Sequence, residues 1–481
     1  MKIAFFTSEV YPFSKTGGLA DVSAGLPKAL KNKGIDIRIF TPYYKCAESF
    51  NPVHLPDSSL KIQIGDTILT TELYMSRLPE SDVPVYFVDN KHFFFRDTLY
   101  SKDNIDYEDN FSRFVLFQRA AIEYLKILNF KADIVHANDW PTALTPVYLK
   151  TIYADAFKNI KTVFTIHNIA YQGIYWVWDM KLSGLPFSLF NWQQLEYYGK
   201  MNLMKGAIVF SDAVTTVSPR YAEEILESGY AYGLQDVLRE YSYKLSGIVN
   251  GADYSLWSPE NDRYITFKYN SDNPEMKEMN KKLLCAKAGF EFDDKPLICM
   301  ISRLGEQKGL WFIVNNIESL MSLEFRLIIL GTGDKTIEKR LSELSDKYPD
   351  RFKAYIKFDN ELSHILEAGS DLYLMPSLFE PCGLNQLYSM KYGTIPIVRK
   401  TGGLADTVVD CTPENINSGH GTGFVFENIN DGEFIQKIRD ALKLYKNKEL
   451  WKKLISNAMS QNWSWEINSE KYISLYTSLL K

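Results

Sequence analysis

Cysteine is scarce in this sequence: five in 481 residues, at 46, 285, 299, 382 and 411, scattered and without a Cys-x-x-Cys pair. That excludes a disulfide framework and a structural zinc site as organising devices, and a reducing compartment is expected. No apolar run is long enough to span a bilayer. The short apolar run Met1–Phe6 is stopped at once by Thr7, Ser8 and Glu9, so it does not read as a secretory signal, and a cytoplasmic location is expected. Positive charge is nowhere concentrated into a long stripe, and the net charge is −5, which argues against nucleic acid or membrane as a partner. The six histidines lack i,i+4 pairing and no Asp-x-Asp stands at a strand end, so no metal ligands are expected. A Walker loop and Gly-x-Gly-x-x-Gly are also missing, which removes support for ATP hydrolysis and dinucleotide redox chemistry.

What is present is a repeated rhythm. The length calls for two or three domains rather than one core. Short β-branched or aromatic runs at 2–7, 35–40, 83–88, 133–136, 162–166, 213–217 and 245–249 are separated by helical patterns, among them 19–33, stopped by Gly34. A polar stretch at 254–278 suits a domain boundary. The rhythm restarts with runs at 297–301, 326–330, 354–357, 372–375 and 395–398, and residues 463–481 read as an amphipathic helix. Such alternation predicts parallel sheets covered by helices on both faces, hence the α/β class with two doubly wound halves.

Lys15-Thr16-Gly17-Gly18-Leu19-Ala20-Asp21 recurs letter for letter at Lys400-Thr401-Gly402-Gly403-Leu404-Ala405-Asp406. The flanks do not align, so shared physics is a better account than duplication. Each half is expected to need a Gly-Gly turn at which backbone amides and a helix N-terminus meet an anionic ligand, with Lys15 adding a full charge. A tight turn without a ligand is the plainer alternative. Arg303 and Lys308 follow the run 297–301, where open α/β sheets bind ligands, and two cations there suit a diphosphate. Solvated surface cations are the alternative. Glu380 lies between an apolar strand and a helix expected to open at Gly383, placed to steady a positive sugar-like transition state or to grip hydroxyls; a helix cap is the alternative. His167 and Asn168 follow one strand, and His136, Asn138 and Asp139 another. Tyr171, Trp176 and Trp178 flank the His167 loop. Aromatic faces line sugar sites, and core packing is their commoner use.

Taken in order, these pieces resemble one family. They are Lys-Thr-Gly-Gly-Leu-Ala-Asp at 15–21, His-Ala-Asn-Asp-Trp at 136–140, Thr-Ile-His-Asn-Ile-Ala-Tyr-Gln-Gly at 165–173, Val-Asn-Gly at 249–251, Ser-Arg-Leu at 302–304 with Gln-Lys-Gly at 307–309, Phe-Glu-Pro-Cys-Gly-Leu at 379–384, and the second Lys-Thr-Gly-Gly-Leu. The sequence is similar to the bacterial glycogen synthases and plant starch synthases. The resemblance implies a GT-B glycosyltransferase fold: two Rossmann-like doubly wound domains facing a central cleft, at 1–253 and 254–460, with a helix at 461–481 crossing back to the first. It implies retaining transfer of glucose from ADP-glucose to the 4-hydroxyl end of an α-1,4-glucan, without a cofactor or catalytic metal. By position, Lys15, Gly18 and Asp21 would form the donor loop. His167 would bond the glucose 6-hydroxyl, with Asn168, Asn250 and Asp139 on the donor side. Arg303 and Lys308 would hold the diphosphate, Glu380 would sit beside the anomeric carbon, and Cys382, Gly383, Leu384, Thr401 and Gly402 would complete the donor site. Two departures from the family pattern stand out. Tyr388 stands where related retaining transferases often carry a second glutamate, which leaves the nucleotide ribose unassigned, and Asn138 and Pro141 replace two histidines. A transferase making sucrose-type or lipid-linked products, and an inactive glycan-binding protein, are the alternatives. The paired glycine loops argue against the first and the joint presence of Lys15, His167, Arg303, Lys308 and Glu380 against the second.

Overall fold

The computed structural model describes residues 1–102 and 105–481. The chain divides into two compact units, Met1–Gly251 with Trp465–Lys481, and Ala252–Ser464.

Unit 1 is built on a ten-stranded sheet. Its parallel part runs, in spatial order, Leu245–Gly247, Ala213–Thr216, Lys161–Ile166, Ile134–Asn138, Lys2–Phe6, Asp36–Pro42 and Pro84–Asp89. Ile3, Ala4, Phe5 and Phe6 are all fully buried, as expected of a central parallel strand covered on both faces. Beyond Pro84–Asp89 the sheet turns antiparallel with Thr67–Arg77, which also pairs Val53–His54 and Leu60–Ile64. The sequence reading did not include these three strands. Thr67–Arg77 mixes exposed and half-buried residues with only Thr71 and Leu73 buried, so it lacks the continuous apolar signature of the central strands.

Residues 465–479 form a helix whose Tyr472 and Tyr476 are fully buried in the unit 1 core. His136 accounts for this seat: its Nδ1 meets the Tyr476 hydroxyl at 2.7 Å, and its Nε2 meets Thr165 Oγ1 at 2.6 Å. Burial pushes the imidazole down to about 3, so it stays neutral and serves as a structural link.

Unit 2 holds a six-stranded, wholly parallel sheet, ordered Phe352–Ile356, Arg326–Gly331, Leu297–Ile301, Leu372–Met375, Ile395–Arg399, Phe424–Phe426. Numbered along the chain this is 3-2-1-4-5-6, the dinucleotide-fold order, and the parallel part of unit 1 follows the same order with one strand added. The stretch 254–278 is no loose connector. Trp257 stacks between His364 and Tyr388 at 3.7 and 4.3 Å, and Asp262 accepts from His364 and Tyr392 at 2.9 and 2.5 Å. No helix among the described residues is long and apolar enough to cross a membrane.

Candidate active site

In a sheet of this order, neighbouring connections leave in opposite directions at one point, and the crevice there takes the ligand. In unit 2 that point lies between Leu297–Ile301 and Leu372–Met375. Arg303 and Lys308 follow the first strand and Glu380 the second. The two loops are pinned by Leu378 N donating to the Gln307 carbonyl at 2.8 Å and Gln307 Nε2 to the Phe379 carbonyl at 3.2 Å. Buried Arg399 donates to the Ser377 carbonyl at 2.8 Å and to the Leu378 carbonyl. Glu380 itself is only 6% exposed. Its Oε2 accepts from Lys308 Nζ at 2.6 Å and from Ser377 Oγ at 2.9 Å. A buried carboxyl held by a cation and a hydroxyl is fixed in position. It does not cap a helix: the next one, Asn385–Lys391, starts five residues on, and two residues after Gly383, where the sequence reading placed it.

The second glycine pair meets protein backbone. Gly403 N donates to the Glu380 and Pro381 carbonyls at 3.1 and 3.2 Å. A Cβ on Gly402 would lie 2.0 Å from the Glu380 carbonyl oxygen, and one on Gly403 2.1 Å from that of Cys382. These residues are glycine so that the Thr401–Gly403 turn can lie against the Glu380 loop. Thr401 and Cys382 are buried here, and Gly383, at φ 72°, lies against the Gln386 side chain. Around Gly17 of the first copy, a Cβ would meet nothing within 4 Å. The expectation that both copies turn their amides to a ligand is therefore corrected for Gly403 and, in the first copy, for Thr16 and Gly17, whose amides serve the chain.

In unit 1 the equivalent switch lies between Lys2–Phe6 and Ile134–Asn138. After the first strand comes buried Glu9, which the sequence reading treated only as a polar stop. Its Oε2 accepts from Thr16 N and Gly17 N at 2.5 and 3.2 Å, and its Oε1 from Thr16 Oγ1 and the Tyr100 hydroxyl at 2.6 and 2.7 Å. Glu9 thus shapes the glycine loop, and burial raises its carboxyl above the usual range. Lys15 pairs with Asp21 at 2.7 Å across the start of the helix Gly18–Asn32.

After the second strand comes Asp139, at φ 57° and ψ 178°, a conformation that costs any residue but glycine. Its Oδ1 accepts from His167 N at 2.7 Å and Asn168 N at 3.4 Å, joining the two loops. Asn138 donates through Nδ2 to the Phe6 carbonyl at 3.0 Å, which turns its Oδ1 to His167 Nε2, also at 3.0 Å. Nε2 must then carry the proton, leaving Nδ1 as the acceptor. Burial lowers the His167 imidazole to about 3, so this form persists at neutral pH. Asn168 Oδ1 is turned back to Ala170 N at 3.0 Å. Asn250 is buried, and among the described residues its Oδ1 meets no donor, a costly state that a ligand hydroxyl would relieve.

Desolvation pushes the Asp139 carboxyl up to about 7 from an ordinary 3.8. A raised carboxyl favours the folded state fully below pH 3.8, and the benefit is lost as pH climbs to about 7. An asparagine in its place would keep the acceptor oxygen and tolerate positive φ. We expect the melting temperature of the wild type to fall relative to Asp139→Asn between pH 5 and 8; the comparison cancels the titrations of His136 and His167. Parallel melting curves would show that Asp139 is ionised throughout.

Tyr388 is packed against Trp257, and Pro141 is buried in a short helical turn. Tyr171, Trp176 and Trp178 are exposed, so core packing does not explain them. Among the described residues no three His, Cys, Asp or Glu side chains are grouped to hold a metal ion. Glu9 and Arg399 hold the loops of the candidate site, and sequence reasoning missed both. Their partners lie 7 to 91 residues away for Glu9 and 21 to 28 for Arg399, and no local motif announces them.

Residues 2–240 match the family model described as starch synthase catalytic domain, and residues 286–461 the model described as glycosyl transferases group 1. The chain is 44% identical to a glycogen synthase of Koribacter versatilis, over 99% of this chain and 98% of that one. It is 41% identical to a glycogen synthase of Thermotoga maritima, over 100% and 99%. The catalytic domain of starch synthase IV from Arabidopsis thaliana, solved with ADP and acarbose, superposes with a TM-score of 0.93 at 33% identity, covering 100% of this chain and 99% of that one. With full-length relatives at this level of identity and family models spanning both units, the chain belongs to the glycogen and starch synthase family of GT-B glycosyltransferases.

Proposed function

We propose that this enzyme transfers glucose from ADP-glucose to the 4-hydroxyl at the non-reducing end of an α-1,4-glucan, with retention of configuration. The observation that carries the reading is the buried Lys308–Glu380 pair at the strand-order switch of unit 2. One Lys308 N–H is given to Glu380, and its two others suit the diphosphate oxygens, with Arg303 beside them. Glu380 supports the positive charge that grows on the sugar ring as the glucose–phosphate bond breaks. His167 Nδ1 accepts from the glucose 6-hydroxyl, and Lys15 and Asp21 frame the donor loop. The nucleoside diphosphate leaves from the face that the acceptor hydroxyl enters. The relative from Arabidopsis, solved with ADP and acarbose, supports the adenine nucleotide and the sugar-chain acceptor. A cytoplasmic setting fits the five free cysteines.

The cations at the diphosphate take over the work of a metal, so the reading is metal-free. Incorporation of labelled glucose from ADP-glucose into glycogen should proceed at an unchanged rate in EDTA. Absence of incorporation removes the reading. Loss on chelation with recovery on magnesium would overturn only the metal-free part.

A further inference from the structure

We propose that the exposed aromatic face between Tyr171 and Gly199 is a docking surface for α-1,4-glucan chains, apart from the groups assigned to transfer; the proposal rests on the glucan-extending activity above. Trp176, Trp178, Phe187, Trp192 and Tyr198 are 63, 58, 56, 72 and 84% exposed. Exposed rings in such number on one segment call for a partner. Successive ring centroids lie 6.3 Å apart from Trp176 to Trp178, and 6.5 Å from Trp178 to Phe187.

Three observations point to a glucan as the occupant. First, the segment is nearly without charge: Asp179, Lys181 and Glu196 are its only charged residues, while Asn191, Gln193 and Gln194 supply amides. Nucleic acids and anionic lipid would need basic groups that it lacks; a neutral polyhydroxyl chain needs apolar faces with amides alongside. Second, Met180, Leu185, Leu189 and Leu195 are buried, and Ile174 and Pro186 are the aliphatic side chains left exposed. A protein partner would draw on aliphatic surface, whereas the C–H face of a pyranose stacks on rings. Third, the segment starts at the candidate site of unit 1. Tyr171 N donates to the Asn168 carbonyl at 3.2 Å, and Tyr175 lies 6.2 Å from Trp140, the residue after Asp139. The backbone beneath is fixed, because Lys205 Nζ donates to the Trp192 and Glu196 carbonyls at 2.5 and 2.6 Å. A polymer growing at the site would have this surface for its remaining length.

The test uses the full chain and a Trp178→Ala/Phe187→Ala variant, with Trp192→Ala as a second. Native electrophoresis in gels containing glycogen should show retardation that weakens about tenfold in apparent affinity, as expected for losing two stacking rings. The KM for glycogen should rise in step, while kcat and the KM values for ADP-glucose and maltotriose stay within about twofold. Unchanged retardation and unchanged KM for glycogen overturn the proposal. So does a wild-type dimer that becomes monomeric in the variants with retardation intact, which would make a second copy the occupant. If the wild type transfers no glucose, the proposed activity fails, and retardation still decides the docking surface.

Discussion

Glu380→Gln should fold normally and lose on the order of a hundredfold or more in turnover, as for removal of one preorganised electrostatic partner. The substitution keeps the volume and the acceptor oxygen that Ser377 Oγ meets at 2.9 Å, and removes only the negative charge. Donor affinity should stay within a few-fold, because the diphosphate is assigned to Lys308 and Arg303. Single-turnover rates with labelled ADP-glucose, alongside a melting curve, separate chemistry from folding. Near-normal turnover with an intact transition would return Glu380 to a structural role and move the search for the key carboxylate to Asp139 or Asp21. A trapped glucosyl ester on Glu380 would replace charge support with covalent catalysis.

Lys308→Ala is expected to cost about 1.5–3 kcal/mol in donor use, the worth of a charged hydrogen bond, which is roughly a ten- to hundredfold fall in kcat/KM for ADP-glucose. The KM for glycogen should move little. Here the geometry adds something the charge count does not. Lys308 Nζ, 2.6 Å from Glu380, also compensates a buried carboxylate, so its loss leaves that charge unpaired. The variant should therefore melt lower than wild type, and adding Glu380→Gln should restore part of the loss. Unchanged donor kinetics would remove the diphosphate assignment, and additive melting shifts would show that the pair is not coupled in solution.

The two sheets were legible in the sequence because their central strands are short, wholly buried and bounded by clear stops such as Gly34. The edge of unit 1 was not, since Thr67–Arg77 is antiparallel and half exposed, and its pattern shares nothing with the βα rhythm around it. In the site, Arg303, Lys308 and Glu380 were readable from their position after strands. Glu9 was not, because its work is done through the amides of Thr16 and Gly17 and the hydroxyl of Tyr100, and only the fold brings these to one carboxylate. The repeated Lys-Thr-Gly-Gly letters show the remaining limit. Equivalent residues meet open space at Gly17 and the carbonyl of Glu380 at Gly402. What a glycine is for depends on its neighbour across space.

The helix Trp465–Leu479 belongs to the unit that the chain begins. On the ribosome, the half of the protein made first is thus the half finished last. Residues 252–464 must all be translated before Tyr476 exists to meet His136, a delay of about 10–40 s at ordinary elongation rates. During that interval His136 and Gly25 of the first unit lack their partners Tyr476 and Trp465, while the second unit can fold to completion as one uninterrupted stretch. A stop codon at residue 465 would therefore release a finished second unit tethered to a first one that lacks its last helix, and quality-control proteases would meet the defect in the first half of the chain, away from the mutation.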